Sequence, residues 1–485
     1  MKKTLFLNPP SYEGFDGGAG ARFQAKREVR SFWYPTWLAQ VAALVPDSKL
    51  VDAPAHEQTL EDILPMAKDF EMLVIYASAP TFHSDIQVAE AFKAANPKLM
   101  IGLCGAHVAT VPEQSLLASN VIDYVARHEF DYTIKEVAEG RDFAAIDGIT
   151  WRKDGQVVHN KDRELIHDMD ALPSVIPVYA RDLVMEDYYI GYLKHPYVSY
   201  YTGRGCRSKC TYCLWPQTIG GQVYRTQSPA RVLADVKLIL EKFPGVKEVF
   251  FDDDTLTDDV PRAEEIARLI GPVLKEKGIT WSCNAKPNLS FETLKILKDN
   301  ACRQLLVGYE SGNQQILNNI KKGTRLDIIR RFTADCHKLG ITVHGCFIMG
   351  LPGETKETIQ ETIRFAKEVN PHSVQCSLSA PYPGTELHAQ ALKNGWIAKD
   401  GLLEDHGNQQ AVLNYPDLSS DEIFAAVEEF YREFYFRPSK IIEMVAEMLT
   451  SWDMFTRRIR EGIEFMQYLR KRGEPDGCDS CKKAA

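Results

Sequence analysis

Cys206, Cys210 and Cys213 fall within eight residues, in the loop Gly203-Arg204-Gly205-Cys206-Arg207-Ser208-Lys209-Cys210-Thr211-Tyr212-Cys213. A four-iron cubane cluster is normally held by four thiolates, so three at C-x3-C-x2-C spacing leave one iron open for another ligand. The two glycines allow the backbone to wrap tightly round such a core. Arg204, Arg207 and Lys209 are expected to lower the thiol pKa values and to offset the charge of thiolates and sulfides. A structural zinc site needs a fourth nitrogen or sulfur ligand, and the nearest histidine upstream, His195, lies eleven residues away. Cys283, Cys302, Cys336, Cys346 and Cys376 stand singly in apolar contexts, which suits core packing rather than a disulfide framework.

A loop of this kind needs rigid elements on either side of it. From 198 to 384, strand patterns at 198–202, 246–252, 280–284, 304–308, 342–348 and 373–378 alternate with helical ones such as 230–242 and 355–368. Six such units predict a partial (β/α)6 barrel with its chemistry at the carboxyl ends of the strands. Polar residues gather at those ends: Asp252, Asp253 and Asp254, then Asn284 and Lys286, then Glu310 and Ser311.

Residues 1–145 read as a separate α/β unit, with strands at 4–7, 49–52, 72–77 and 98–103 and a helix at 85–95. A doubly wound, Rossmann-like parallel sheet binds ligands at its strand ends, here Asn8-Pro9-Pro10, Ser78-Ala79-Pro80-Thr81 and Cys104-Gly105-Ala106-His107. Residues 146–197 read as a hairpin about Lys153-Asp154-Gly155 followed by an extended linker at 172–177. Residues 385–485 read as mainly helical, with amphipathic patterns at 421–436 and 439–472. The fold class is therefore α/β with a helical C-terminal region. The pair Cys478 and Cys481 sits in a polar tail and reads as redox-labile rather than as a second cluster.

The cysteine spacing, with Tyr212 just before the third cysteine, resembles the signature of radical S-adenosylmethionine (SAM) enzymes. That resemblance implies a [4Fe-4S] cluster on Cys206, Cys210 and Cys213, with the open iron chelated by SAM, whose reductive cleavage gives a 5′-deoxyadenosyl radical. It also implies cofactor contacts from Tyr212, from Asp253 and Asp254 in the place of the family's Gly-Gly-Glu segment, and from Asn284, Glu310 and Ser311. Gly345 to Thr355 is similar to the fifth-strand segment behind the adenine. The first unit resembles the cobalamin-binding domain of one large subgroup, which implies contacts from Ser78, Gly105 and His107. The D-x-H-x-x-G loop that carries a cobalt-ligating histidine in many cobalamin proteins is absent, because Asp52 and His56 are four apart with no glycine at the right place.

A narrower likeness runs through 5–20, Lys26-Arg27-Glu28, 31–38, the cysteine loop and 430–438. These phrases resemble the hopanoid-biosynthesis radical SAM proteins that make the bacteriohopanetetrol cyclitol ether. The likeness implies hydrogen abstraction from bacteriohopanetetrol glucosamine and contraction of its sugar ring, with a hopanoid lipid as substrate and an electron donor such as flavodoxin or ferredoxin. The alternative is a cobalamin-dependent radical methyltransferase acting on an unactivated carbon.

Composition sets outer bounds. The 485 residues are 45% hydrophobic and 25% charged, with a net charge of −9, which argues against nucleic acid as a partner. The apolar runs are too short for a membrane span and the first residues too short for a signal peptide, so the expected location is the cytoplasm. The pattern at 439–472 either packs on its own domain or lies on the inner membrane face, with Phe32-Trp33-Tyr34 as a second candidate for lipid contact.

Overall fold

Strands β1 (Thr4–Asn8), β2 (Ser48–Asp52), β3 (Met72–Tyr76), β4 (Met100–Cys104) and β5 (Tyr124–Ala126) are nearly continuous apolar runs. Strands covered on both faces have to read this way. They pair in parallel in the order β2-β1-β3-β4-β5. The alternation of side chains splits the burial: Leu5 and Leu7 pack with Ile75, Phe92 and Leu103 on one face, and Phe6 packs with Tyr34, Leu38 and Val74 on the other. The computed structural model describes residues 1–10, 31–399, 401, 402, 410–448, 459, 462 and 463.

The hairpin β6 (Ile149–Lys153) and β7 (Gln156–His159) does not stand apart from this sheet. Asp154 and Gly155 turn it with φ of +50° and +80°, and β6 pairs antiparallel with β5, giving seven strands that run past residue 145. Only three residues long, β5 would otherwise present an unpaired edge. The segment read as an extended linker, 172–177, instead enters the helix Ile176–Asp182. Pro177 suits the first helical turn, and burial of Ile176, Val178 and Tyr179 stabilises a helix that local propensity does not announce.

Phe32, Trp33 and Tyr34 lie inside the protein, at 8%, 5% and 1% exposure, so they are not a lipid-facing cluster. Tyr34 stacks on Tyr188 with ring centres 4.0 Å apart and donates to the Tyr197 carbonyl at 2.9 Å. The aromatic segment thus wedges the first sheet against the second.

The second sheet comprises β8 (Tyr197–Tyr200), β11 (Glu248–Phe251), β12 (Thr280–Ala285), β13 (Cys302–Glu310), β14 (Thr342–Met349) and β15 (Ser373–Leu378). Between its first two strands, β9 (Gly203–Arg204) and β10 (Arg225–Thr226) form a short antiparallel ribbon. All six strands of the large sheet pair in parallel and in chain order, an open partial barrel as expected. Helices between the strands begin at side-chain caps: Ser228 for Pro229–Lys242, Ser290 for Phe291–Asp299 and Thr355 for Lys356–Val369. Ser419 and Glu422 make a capping box for Ser420–Tyr435. Each cap is worth about 1 kcal/mol and fixes where its strand-to-helix loop ends. Those loops carry the polar residues of the rim.

The helix Pro438–Met448 follows, with Ile441, Ile442 and Val445 exposed. Most of the remainder of 439–472, Cys478, Cys481 and 11–30 lie outside the described residues. Among the described residues no helix is long and apolar enough to cross a membrane.

Candidate active site

The cysteine loop is fixed by backbone contacts that few sequences could make. Gly205 sits at φ +84°, and a Cβ there would lie 2.4 Å from the Val223 carbonyl oxygen and 2.7 Å from those of Gly220 and Gly221. Only glycine fits. The Cys206 N–H donates to the Gly221 carbonyl at 3.3 Å, while Gln217 Nε2 donates to the carbonyls of Cys213 at 2.6 Å and Cys210 at 3.2 Å. Thr211 ties the loop outward, its N–H to the Ile320 carbonyl and its carbonyl to the Leu387 N–H.

The three thiols border a cavity of about 590 Å³ at the carboxyl end of the barrel. Tyr212, Asp254, Asn284, Glu310 and Lys322 share its wall. Asp254 accepts the Gly205 N–H at 3.2 Å, coupling the rim to the cysteine loop. Asn284 Nδ2 donates to the Asp253 carbonyl at 2.8 Å and to Asp252 at 3.2 Å. A register shift between β13 and β14 at Gly308 and Glu310, with Glu310 at φ +62°, turns this carboxylate into the cavity. There it meets Lys322 Nζ at 2.5 Å.

Two expected cofactor contacts face elsewhere. Asp253 is fully buried, accepting the Thr202 N–H at 2.5 Å, the Thr202 hydroxyl at 2.7 Å and the Tyr224 hydroxyl at 2.6 Å. It braces β8 against β11. Ser311 shares its hydroxyl with Thr362 at 3.1 Å and accepts the Asn313 N–H, outside the cavity wall. Successive residues at a strand end point to opposite sides, so Asp254 and Glu310 reach the cavity while Asp253 and Ser311 turn into the core.

The electrostatics also depart from the expected pattern. Arg204 turns away from the cysteines and bonds Glu129 at 2.9 Å and Asp131 at 2.8 Å and 3.0 Å, with Trp37 under its guanidinium at 4.2 Å. Arg207 lies outward beside Asp258. Burial pushes the Cys210 and Cys213 thiols up, and the cation that opposes this is Lys322. Burial alone would lower Lys322 itself; Glu310 and the nearby thiols hold it raised. Sequence reasoning missed Lys322 because a Lys-Lys pair before glycine reads as a solvated turn. Gly308 is the available signal: a Cβ there would lie 2.1 Å from Glu310 Oε1 and 2.7 Å from Lys322 Nζ.

Residues 200–366 match the family described as the radical SAM superfamily. An uncharacterised methyltransferase of Pyrococcus horikoshii is 30% identical over 459 residues, covering 92% of this chain and 95% of that protein. The chain belongs to the radical SAM superfamily. A cytidylyl-2-hydroxyethylphosphonate methyltransferase of Streptomyces wedmorensis is 27% identical over 77% of each chain. The fold is shared with two solved radical SAM proteins. TsrM from Kitasatospora setae, with cobalamin and a [4Fe-4S] cluster bound, superposes with a TM-score of 0.68 at 15% identity, over 97% of this chain and all of that one. OxsB, with aqua-cobalamin and SAM bound, gives 0.69 at 14% identity, over 98% of this chain and 74% of that one.

The superfamily's cofactors are a [4Fe-4S] cluster and SAM, and the residues here fit both. Thiols spread round a cavity suit a larger core, each taking a different iron. The amino-acid part of SAM carries an ammonium and a carboxylate, and Glu310 and Lys322 offer the opposite charges in that order.

The strand ends of the first sheet are built differently. Asn8 Nδ2 and the Tyr188 hydroxyl are both spent on Asp52, at 2.5 Å and 2.7 Å, and Ser78 bonds Thr81 and Asp85. Gly105, at φ +120°, lies where a Cβ would meet the Ala77 carbonyl at 2.6 Å. His107 packs on Phe82 with its Nδ1 buried and without a protein partner, and burial lowers its pKa to about 4. Ser78, Gly105 and His107 do not border the large cavity, whose wall begins at Cys206. Ser78, Gly105 and His107 follow the carboxyl ends of the neighbouring strands β3 and β4, and among the described residues His107 Nδ1 is the atom there without a protein partner.

Proposed function

We propose that this chain is a radical SAM enzyme that rearranges the sugar of a hopanoid lipid, contracting the glucosamine ring of bacteriohopanetetrol glucosamine to the cyclitol ether. The choice of rearrangement over methyl transfer rests on the likeness in 5–20, 26–28, 31–38 and 430–438. The hopanoid itself comes from the resemblance in 5–38 and 430–438. The cavity supports an amphiphile: Leu306, Val307, Phe347 and Ile348 line it beside Asn284 and Gln375.

When bound and reduced, the cluster and SAM supply a radical able to take hydrogen from an unactivated carbon. The chain's part is to hold and exclude. Cys206, Cys210 and Cys213 are the proposed cluster ligands, Asp254, Asn284 and Glu310 orient the cofactor with Lys322 opposite, and Tyr212 covers it. The buried wall keeps water from the substrate radical, and the sugar enters at the polar rim. Exposed Phe436, Ile441, Ile442 and Val445 offer an apolar surface that suits contact with the membrane holding the lipid.

The relatives favour a second reading, cobalamin-dependent methyl transfer to an unactivated carbon. His107 Nδ1, on the helix Ala106–Thr110 that follows β4, is free to take a cofactor contact. Anaerobic assay of a panel of hopanoid lipids, on protein reconstituted with and without hydroxocobalamin, separates the two. Rearrangement predicts a product without an added methyl mass and no dependence on cobalamin. A methyl gain that requires cobalamin, with a bound-corrin spectrum, contradicts it.

A further inference from the structure

Beyond Glu310 the cavity wall changes character. Its charged residues, Lys209, Asp254, Lys286, Glu310, Lys321 and Lys322, come from the cysteine loop, from the turns after β11 and β12, from the end of β13 and from 321–322. The wall residues supplied by β14, β15 and the turn after β15 carry no charge. On β15, Gln375 and Ser377 share the inward face, and Ser379 continues it, its N–H donating to the Met349 carbonyl at 2.8 Å just past the last strand pair. Gln375 is 8% exposed and Ser379 5%. Gln375 Nε2 donates to Ser377 Oγ at 3.2 Å, which leaves the carboxamide oxygen unspent among the described residues. Ser379 Oγ is buried in the wall with no hydrogen-bond partner among the described residues. A buried hydroxyl is rarely left so unless something outside the chain completes it. The strand itself is held: β15 ends the sheet, and the N–H groups of Val374 and Cys376 on its free edge donate to the Tyr435 and Tyr431 hydroxyls at 3.0 Å and 2.9 Å.

We infer that Gln375, Ser377 and Ser379 form the subsite that holds the hydroxyl groups of the substrate's sugar ring. The inference rests on the hopanoid reading above and deepens it by placing the ring against β15. A carboxamide and two hydroxyls both donate and accept without charge, which matches neighbouring ring hydroxyls; a phosphate or carboxylate would find no cation on this flank. The charged flank suits the ammonium and carboxylate of SAM instead. Strand β14 stands between β13, which bears Glu310, and β15, and its Ile348, paired with Ser377, puts apolar wall between the two flanks. A pair of hydroxyls is also present on the ribose of SAM, so the test has to separate the two sources.

The test measures equilibrium binding to the full chain with reconstituted cluster, in mixed micelles, of three probes: bacteriohopanetetrol glucosamine, bacteriohopanetetrol without the sugar, and SAM. The variants are Gln375→Met, which keeps the length of the side chain and removes its amide, and Ser379→Ala, which removes one unpartnered oxygen and carries the test alone if the first does not fold. Each variant should weaken binding of the sugar-bearing lipid by about three- to tenfold, and leave the sugar-free lipid and SAM bound as before. Unchanged affinity for the sugar-bearing lipid overturns the inference. So does an equal loss with the sugar-free lipid, which would mean altered packing, and so does weakened SAM binding, which would give these groups to the ribose. An unaltered protein that shows no preference for the sugar-bearing lipid would instead refute the hopanoid reading, and the inference with it.

Discussion

At the scale of single residues, the cysteine loop and the rim make separable demands. Alanine at Cys206, Cys210 or Cys213 removes a ligand that no nearby residue replaces, so iron and sulfide content and the charge-transfer absorption should fall. Asp254→Ala and Glu310→Gln should keep the cluster and weaken SAM binding by about 1.5–3 kcal/mol per lost charge-assisted bond. Titrating SAM against the reduced cluster checks this, and unchanged affinity would count against both assignments. The three cysteines were legible because a local spacing carries their chemistry. Which of Asp253 and Asp254 faces the cavity was not, because the answer is set by Thr202 and Tyr224 from elsewhere in the chain. Lys322 was illegible for the same reason: its partner Glu310 is twelve residues away and meets it only after β13 has bulged.

At the scale of elements, the ribbon β9–β10 is clamped to the first sheet by charge. Arg204 and Arg225 share Glu129, Asp131 completes the set, and all four side chains are nearly inaccessible. Burial opposes ionisation of Glu129, yet the two arginines hold its carboxyl below the usual range. Arg204→Ala leaves buried carboxylates without their partner, a change that costs about 3–5 kcal/mol in comparable cases. Denaturant unfolding should show that loss, and a loss under about 1 kcal/mol would mean water reaches the pair. The sequence suggested that Arg204 serves the cysteines; its actual partners lie more than seventy residues upstream, beyond any local pattern. The hairpin was legible as a hairpin, but its attachment to β5 depends on an edge only the folded sheet creates.

The turn after β14 adds a pH dependence. Glu354 accepts the Gly350 N–H at 2.6 Å and the Leu351 N–H at 3.1 Å, yet burial pushes its pKa up to about 8. Asp85 is raised to about 8 by burial as well. An acid whose folded pKa exceeds its unfolded value of about 4 stabilises the fold fully below that lower value and loses the contribution as pH rises to the upper one. The two acids should therefore lower stability between about pH 4 and pH 8; His107, lowered to about 4, opposes them below about pH 6.5, and Glu354→Gln should flatten part of the decline above that. Thermal unfolding across this range measures it, and an identical slope in the variant would place the titration elsewhere.

At the scale of the whole molecule, two sheets share one apolar core while the reactive cavity opens only to the second. The partial barrel was legible strand by strand, since each parallel strand is an apolar run ending in polar residues. The relation between the two units was not, because it depends on Phe32-Trp33-Tyr34 and on the contact of Thr110, Thr218 and Gly384 across the interface. The two proposed reactions part on one point, whether the product keeps its substrate's carbon count or gains a methyl group. Anaerobic incubation of the reduced enzyme with SAM and sugar-deuterated bacteriohopanetetrol glucosamine tests this most directly. The account predicts deuterium in 5′-deoxyadenosine and a ring-contracted product with no added methyl mass; 5′-deoxyadenosine without deuterium, or a product heavier by one methyl group, would contradict it.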